Sequence, residues 1–361
     1  MKDKTSRREF LRNAALTAAA LPVLFQGGSR TAQAMNGSST DAPRDIKAKT
    51  KRIAVEEHWI FPAGKVPVVP EFSASQSLAF ARLADFELRL PLMEESGITM
   101  QVLQPVSFLA PPTDRDGVIA WAKRYNDGIT ALVGKYPGRF AGYASLPIAY
   151  PKEAADELER AVTQLGLKRV AIAGSINGEY LDGQKFWPIW ERAERLGVPI
   201  YLHPANPPLE SRRMYEGHPE LMGPAWSWTV DTATHALRII GAGVFDAFPK
   251  STVILGHMGE SLPYLLARFD EGYAMFKNRK LKKVVSDYIK ENIVITTSGK
   301  YNPEALVCAI SAMGIDRVLF ADDYPWVTPK EAVQQIERTP LSDLDKEKIY
   351  HLNAERWLTL S

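Results

Sequence analysis

From residue 52 onward the chain alternates two patterns eight times. A short apolar run rich in Val, Ile and Leu is followed by a longer amphipathic stretch. The apolar runs fall at 52–57, 100–105, 139–146, 169–173, 199–203, 252–257, 292–297 and 317–322. Most are hydrophobic nearly throughout, as parallel strands covered on both faces must be. The stretches at 79–95, 117–135, 151–165, 186–196, 229–248, 261–276, 303–313 and 330–338 read as helices, with a ninth at 343–357. The third opens with Pro151 and early acids, as a helix N-terminus favours. Eight strand–helix repeats predict an α/β fold, a TIM-like (β/α)8 barrel over 52–361. A doubly wound open sheet would place a glycine-rich phosphate loop after the first strand. Glu-Glu-His-Trp-Ile-Phe stands there instead.

The composition narrows the function. Apolar residues make up 45% of the chain, enough for a large core, and 44 basic residues against 42 acidic ones leave little net charge. That balance argues against nucleic acid as a partner. The single cysteine, Cys308, rules out an intramolecular disulfide and a cysteine-rich zinc site. In its apolar helical stretch it reads as a small buried hydrophobe.

The first 51 residues stand apart. Ser6-Arg7-Arg8-Glu9-Phe10-Leu11-Arg12 precedes an apolar stretch from Ala14 to Phe25, and Ala32-Gln33-Ala34 has the small-x-small pattern of a cleavage site. The order matches a twin-arginine signal peptide over 1–34, and the apolar stretch is too short for a permanent membrane anchor. The expected partner is the Tat export machinery and the expected location the periplasm. Residues 35–51 read as a flexible linker. Two stretches exceed ordinary loop length, 59–78 and 204–228, and are expected to wall a pocket.

Of the six histidines, three end apolar runs: His58, His203 and His257. The eighth run ends in two carboxylates, Asp322 and Asp323. Carboxyl ends of parallel strands are where a barrel gathers its chemistry. Side chains alternate along a strand, so Glu56 and His58 share one face and Glu57 takes the other. With His203 and Asp323 they make two imidazoles and two carboxylates, a set suited to one divalent ion, Zn2+ or Mn2+, with coordination positions left open. His257 is expected beside the open position, with Glu260 three residues on. Alternation turns Asp322 away from Asp323. His218, in a Gly-His-Pro turn, His235, in mid-helix, and His351, on the last helix, read as structural.

Several motifs occur in a fixed order: Glu-Glu-His, Tyr-Leu-His-Pro-x-Asn-Pro, Gly-His-Pro-Glu-Leu-x-Gly-Pro-x-Trp, Ile-Leu-Gly-His-Met-Gly-Glu-x-Leu-Pro-Tyr, Ile-Thr-Thr-Ser-Gly and Leu-Phe-Ala-Asp-Asp-Tyr-Pro. The chain resembles the metal-dependent non-oxidative aromatic decarboxylases of the amidohydrolase superfamily, the γ-resorcylate and 2,3-dihydroxybenzoate type, over roughly 52–357. The resemblance implies one divalent metal at Glu56, His58, His203 and Asp323. It also implies that His257 and Glu260 contact a substrate hydroxyl, and that Arg268 meets the substrate's polar substituents. The implied reaction is decarboxylation of a hydroxybenzoate-type acid, with Asp323 protonating the ring carbon. Relatives form dimers or tetramers, which implies a homo-oligomer.

Three departures stand out. The family is mostly cytoplasmic, whereas this chain has an export-like leader. Ala173-Gly174-Ser175 replaces an Asn-Gly pair common after the fourth strand. Asp322 replaces Ser or Thr. A metal-dependent hydrolase of a lactone, ester or amide competes as a reading. Against its binuclear form, the first strand lacks His-x-His, and Lys168 falls before the fourth strand. A third reading, a non-catalytic metal-stabilised binding protein, predicts no open coordination position.

Overall fold

The computed structural model describes residues 50–60, 79, 82–83, 85–106, 114–276, 281–299 and 301–360. The expected signal peptide 1–34, nearly all of the linker 35–51 and most of the stretch 59–78 lie outside the described residues.

All eight predicted apolar runs contain strands. These are β1 (Ile53–Trp59), β2 (Met100–Pro105), β3 (Phe140–Gly142), β4 (Val170–Ala173), β5 (Ile200–His203), β6 (Val253–Leu255), β7 (Ile293–Thr296) and β8 (Val318–Leu319). Each pairs in parallel with its sequence neighbour, in one sheet of β1-β2-β3 and another of β4-β5-β6-β7-β8. Two narrow seams join the sheets. At one, Ala144 N–H donates to Arg169 O (2.8 Å) and Ala171 N–H to Ala144 O (3.1 Å). At the other, Val55 N–H donates to Phe320 O (3.0 Å) and His58 N–H to Tyr324 O (2.9 Å).

The inward face is read from one buried cluster that draws on every strand in turn. Ile53 and Val55, Met100 and Val102, Ala141 and Tyr143, Ala171, Tyr201, Ile254, Val294, and Leu319 and Ala321 pack together, with Ala354, Leu358 and Leu360 from the C-terminus. Inward residues from the first strand through the last can share one cluster only if the wall curves around them, as in a barrel. A larger apolar cluster holds outward strand residues such as Leu103, Ile172, Leu202, Leu255 and Ile295 together with helix residues.

The covering helices are α1 (Phe86–Glu95), α2 (Arg115–Lys135), α3 (Pro151–Thr163), α4 (Trp187–Leu196), α5 (Ser227–Gly241), α6 (Leu266–Ala274), α7 (Val285–Asn292), α8 (Pro303–Met313) and α9 (Pro329–Arg338). One of these nine lies after each strand, except that two follow β6; the expected ninth stretch, 343–357, is helical in three pieces, Asp343–Glu347, a π-helical Lys348–Leu352 and Asn353–Leu358. Thr328 starts α9 with a reciprocal capping box to Glu331, which satisfies two otherwise unpaired donors.

Some boundaries differ from expectation. β8 is two residues long because Phe320 N–H leaves the ladder for Ile349 O (2.9 Å). The stretch 204–228 holds three short 3-10 turns, Leu209–Tyr215, Pro219–Leu221 and Gly223–Ala225. Its prolines lack the N–H that a longer helix would use. Cys308 is half-buried rather than enclosed. Among the described residues no helix is long and apolar enough to cross a membrane.

Candidate metal centre

The site begins with an irregularity in β1. The register with β2 shifts between Ala54 and Glu57. Before the shift Ile53 and Val55 face inward; after it Glu56 and His58 do. Extra residues in one strand re-aim side chains in this way. Glu57 then faces outward, as alternation predicts.

Glu56, His58, His203 and Asp323 converge, each offering a ligand atom, all within 4.8 Å of one another. Metal bonds of about 2.0–2.2 Å hold donors up to about 4.4 Å apart, so small adjustments would close the set around one ion. His58 Nε2 lies 3.0 Å from Asp323 Oδ1, and His203 Nε2 lies 3.4 Å from Glu56 Oε1. His203 Nδ1 lies 2.7 Å from the Pro204 carbonyl, which can only accept. The proton therefore sits on Nδ1, and the Nε2 lone pair faces the cluster.

Glu56 shows what is missing. Its Oε2 accepts from Thr296 Oγ1 (3.0 Å), whereas its Oε1 is buried with no hydrogen-bond partner. An isolated buried carboxylate oxygen is costly, and a cation would compensate it. Gly256 leaves the room: a β-carbon there would sit 2.8 Å from the Tyr201 hydroxyl and 2.9 Å from Glu56 Oε2. The residues present fit a divalent ion.

The electrostatics follow from burial among like and unlike charges. Burial raises Glu56, against the pull of His257. Burial, with His58 and His257 nearby, holds His203 well below the usual imidazole range, so it is neutral. Burial would lower His257 too, but Glu56, Glu260 and Asp323 overcome that and hold it well above the usual value. Burial would raise Asp323, but hydrogen bonds to His257 and His58 hold it low.

His257 enters from an unusual backbone. His257, Met258, Gly259, Glu260 and Ser261 all have positive φ, at 50°, 56°, 74°, 51° and 66°. Four of the five carry side chains, which pay roughly 1–2 kcal/mol each in left-handed backbone. The turn brings His257 Nδ1 to 2.7 Å from Glu260 Oε1. Glu260 Oε2 accepts from Thr229 Oγ1 (2.8 Å), and His257 N–H donates to Ser298 Oγ (2.9 Å). His257 Nε2 stands 3.7 Å from Glu56 Oε1 and 3.8 Å from Asp323 Oδ2, beside the four-residue cluster.

The other expected residues are placed as follows. Arg268 is exposed in the first turn of α6 and makes no hydrogen bond or ion pair with the cluster among the described residues. Asp322 points outward, away from Asp323, and is buried beside Glu57. Lys168 is exposed, outside β4. His235 is buried, with Nε2 accepting from Leu181 N–H (2.8 Å), and burial pushes it down to about 3. His218 pairs with Glu220 (3.0 Å) and His351 with Glu355 (3.2 Å), so all three are accounted for without a metal. An Asn-Gly pair does follow β4, four residues on. Asn177 and Gly178 (φ 51° and 80°) turn the chain between Ile176 and Glu179.

Reading the sequence alone misses Tyr301. Its ring carbon Cε2 and His257 Cδ2 lie 3.2 and 3.4 Å from where a β-carbon on Gly299 would stand. The phenol thus lies alongside His257, and burial pushes it up to about 12, so it stays protonated. Only the Ser-Gly before it hinted at a turn back over the site.

The amidohydrolase family profile matches residues 79–360. A γ-resorcylate decarboxylase of Polaromonas sp. is 38% identical over 332 residues, covering 86% of this chain and 99% of that protein. One of Rhizobium radiobacter is 37% identical over 328 residues, covering 86% of this chain and 98% of that protein. A crystal structure of the Polaromonas dihydroxybenzoic acid decarboxylase, with bound manganese and the inhibitor 2-nitroresorcinol, superimposes with a TM-score of 0.80 at 37% identity, covering 86% of this chain and 97% of that one. With its barrel strands, its inward ligand set and these relatives, this chain belongs to the amidohydrolase family, on the branch that holds the γ-resorcylate decarboxylases.

Proposed function

We propose that this protein is a metal-dependent carboxy-lyase that removes carbon dioxide from a hydroxybenzoate-type acid of the 2,6-dihydroxybenzoate class. The observation that carries the reading is the orphaned Glu56 Oε1 among three further inward ligand atoms, with His257 at its edge. Glu56, His58, His203 and Asp323 would hold one divalent ion. Two imidazoles and two carboxylates accept Zn2+ or Mn2+; the manganese in the Polaromonas structure favours Mn2+. When bound, such an ion supplies a template and Lewis acid for a carboxylate and its ortho oxygen.

The chain's own groups do the rest. Asp323, held ionised by its bonds to His257 and His58, takes up a proton when the anionic acid binds beside it, and delivers that proton to the ring carbon that bears the carboxylate. The bond to the carboxylate then breaks, carbon dioxide leaves, and the bonding pair returns to the ring. Asp323 regains its proton from solvent. His257, protonated and held by Glu260, donates to a ring hydroxyl oxygen. Arg268 meets polar substituents from the rim, since the first turn of α6 lies at the carboxyl end of the barrel.

Purified protein loaded with Mn2+ or Zn2+ is expected to release carbon dioxide from at least one member of a hydroxybenzoate panel. Inert acids alongside cleaved lactones or esters would replace this reading with hydrolysis.

The leader supports export through the twin-arginine route to the periplasm, testable by fractionation of cells with and without Arg7→Lys/Arg8→Lys. The exposed Leu209, Met214, Met275 and Phe276 support self-association, testable by light scattering.

A further inference from the structure

Behind the ligand cluster, on the outer side of the wall, lies a second polar cluster sealed from water. Glu57 on β1, Arg89 on α1, Gln101 on β2 and Asp322 after β8 are each 0% exposed. A buried guanidinium is costly unless its donors are used. Arg89 Nη2 donates to the main-chain carbonyl of His58 at 2.5 Å, and Nη1 to Gln101 Oε1 at 3.1 Å. Its Cζ also lies 4.2 Å from the centroid of the Tyr324 ring, while its Nε is left without a hydrogen-bond partner.

Glu57 accepts from three donors: Asp322 N–H (3.3 Å), Tyr324 N–H (3.1 Å) and the Gln101 side-chain amide (3.4 Å). The residue between the two main-chain donors is Asp323, held at φ 67°. A non-glycine residue keeps such a conformation only when its surroundings impose it. Glu57 grips the residue on either side, and His58 N–H adds a bond to Tyr324 O.

We propose that Glu57 and Arg89 are positioning residues, which fix His58 and Asp323 across the β1–β8 seam so that a cation finds both ligand atoms in place. The inference rests on the metal-ligand reading above. It assigns the outer cluster a duty beyond fastening α1 to the barrel. Glutamine at 57 would offer one acceptor oxygen where the carboxylate offers two, and would turn an N–H toward a main-chain N–H. Lysine at 89 would keep the charge and lose the fork that meets two acceptors at once.

The test measures Mn2+ affinity by titrating the metal-free protein under electron paramagnetic resonance, with thermal midpoints of the same metal-free samples. Glu57→Gln is expected to weaken Mn2+ binding 10- to 100-fold, and Arg89→Lys by about tenfold. Wild-type affinity in a folded Glu57→Gln protein overturns the proposal. So does a lowered thermal midpoint with affinity unchanged, because the cluster would then be structural only. If Glu57→Gln does not fold, Arg89→Lys decides by the same criterion. A wild-type protein that binds neither Mn2+ nor Zn2+ overturns the metal-ligand reading as well, which separates the two failures.

Discussion

Two adjacent glutamates on β1 and two adjacent aspartates after β8 part company at the barrel wall. Glu56 and Asp323 turn inward among imidazoles; Glu57 and Asp322 turn outward toward Arg89. All four lie in nearly dry surroundings, yet they are satisfied differently. Glu57 receives three hydrogen bonds from its own protein, whereas Glu56 leaves one oxygen and Asp322 both oxygens without a partner. Burial also raises Glu57 and Asp322, with Asp322 lifting Glu57 further, and Arg89 offsets only part of the effect. A carboxylate pair set side by side against a buried guanidinium is architecture. One that converges with two imidazoles on a common point is built for something added later.

That contrast can be broken in three ways. Asp323→Asn removes an inward carboxylate at little cost in volume. It should lower turnover by about 1,000-fold, and it should abolish deuterium exchange at the ring carbon, followed by NMR. Wild-type exchange would take Asp323 out of the proton transfer. Chelation should act on the inner side alone. It should stop turnover and lower the thermal midpoint by a few degrees, since a ligand at a hundredfold excess over its Kd stabilises by roughly 3 kcal/mol. Mn2+ should restore both, and a midpoint indifferent to metal would deny the inner cluster its cation. Asp322→Asn should act least. Its carboxyl lies in the outer cluster, and relief of the like charge at Glu57 offsets lost polarity. Turnover within threefold and stability within about 1 kcal/mol of wild type are expected. A tenfold loss of turnover would erase the distinction between the two sides.

Much of this was legible in residue order. Each strand lies within or within two residues of its predicted run, because two-sided burial writes itself as continuous apolar sequence. The inward set was legible because strand alternation and the placement of His58, His203 and Asp323 at strand ends needed no long-range knowledge. The outer partners were not. Arg89 reads as one more charge on an amphipathic helix, and only the fold shows that it is buried against the His58 carbonyl. Nor did the sequence show the left-handed run at 257–261, since four of its five residues have side chains that ordinarily avoid that region. Tyr301 was missed because its approach to His257 depends on the path after β7, which no periodicity encodes.

The two seams have unequal fates. The one between β3 and β4 is held by main-chain hydrogen bonds around Ala144. The one between β1 and β8 has similar bonds, and it also carries His58 on one lip and Asp323 on the other. An ion seated there would rivet the hoop at that joint, so loading the protein should slow amide exchange at Val55 and His58 while leaving Ala144 and Ala171 to breathe as before.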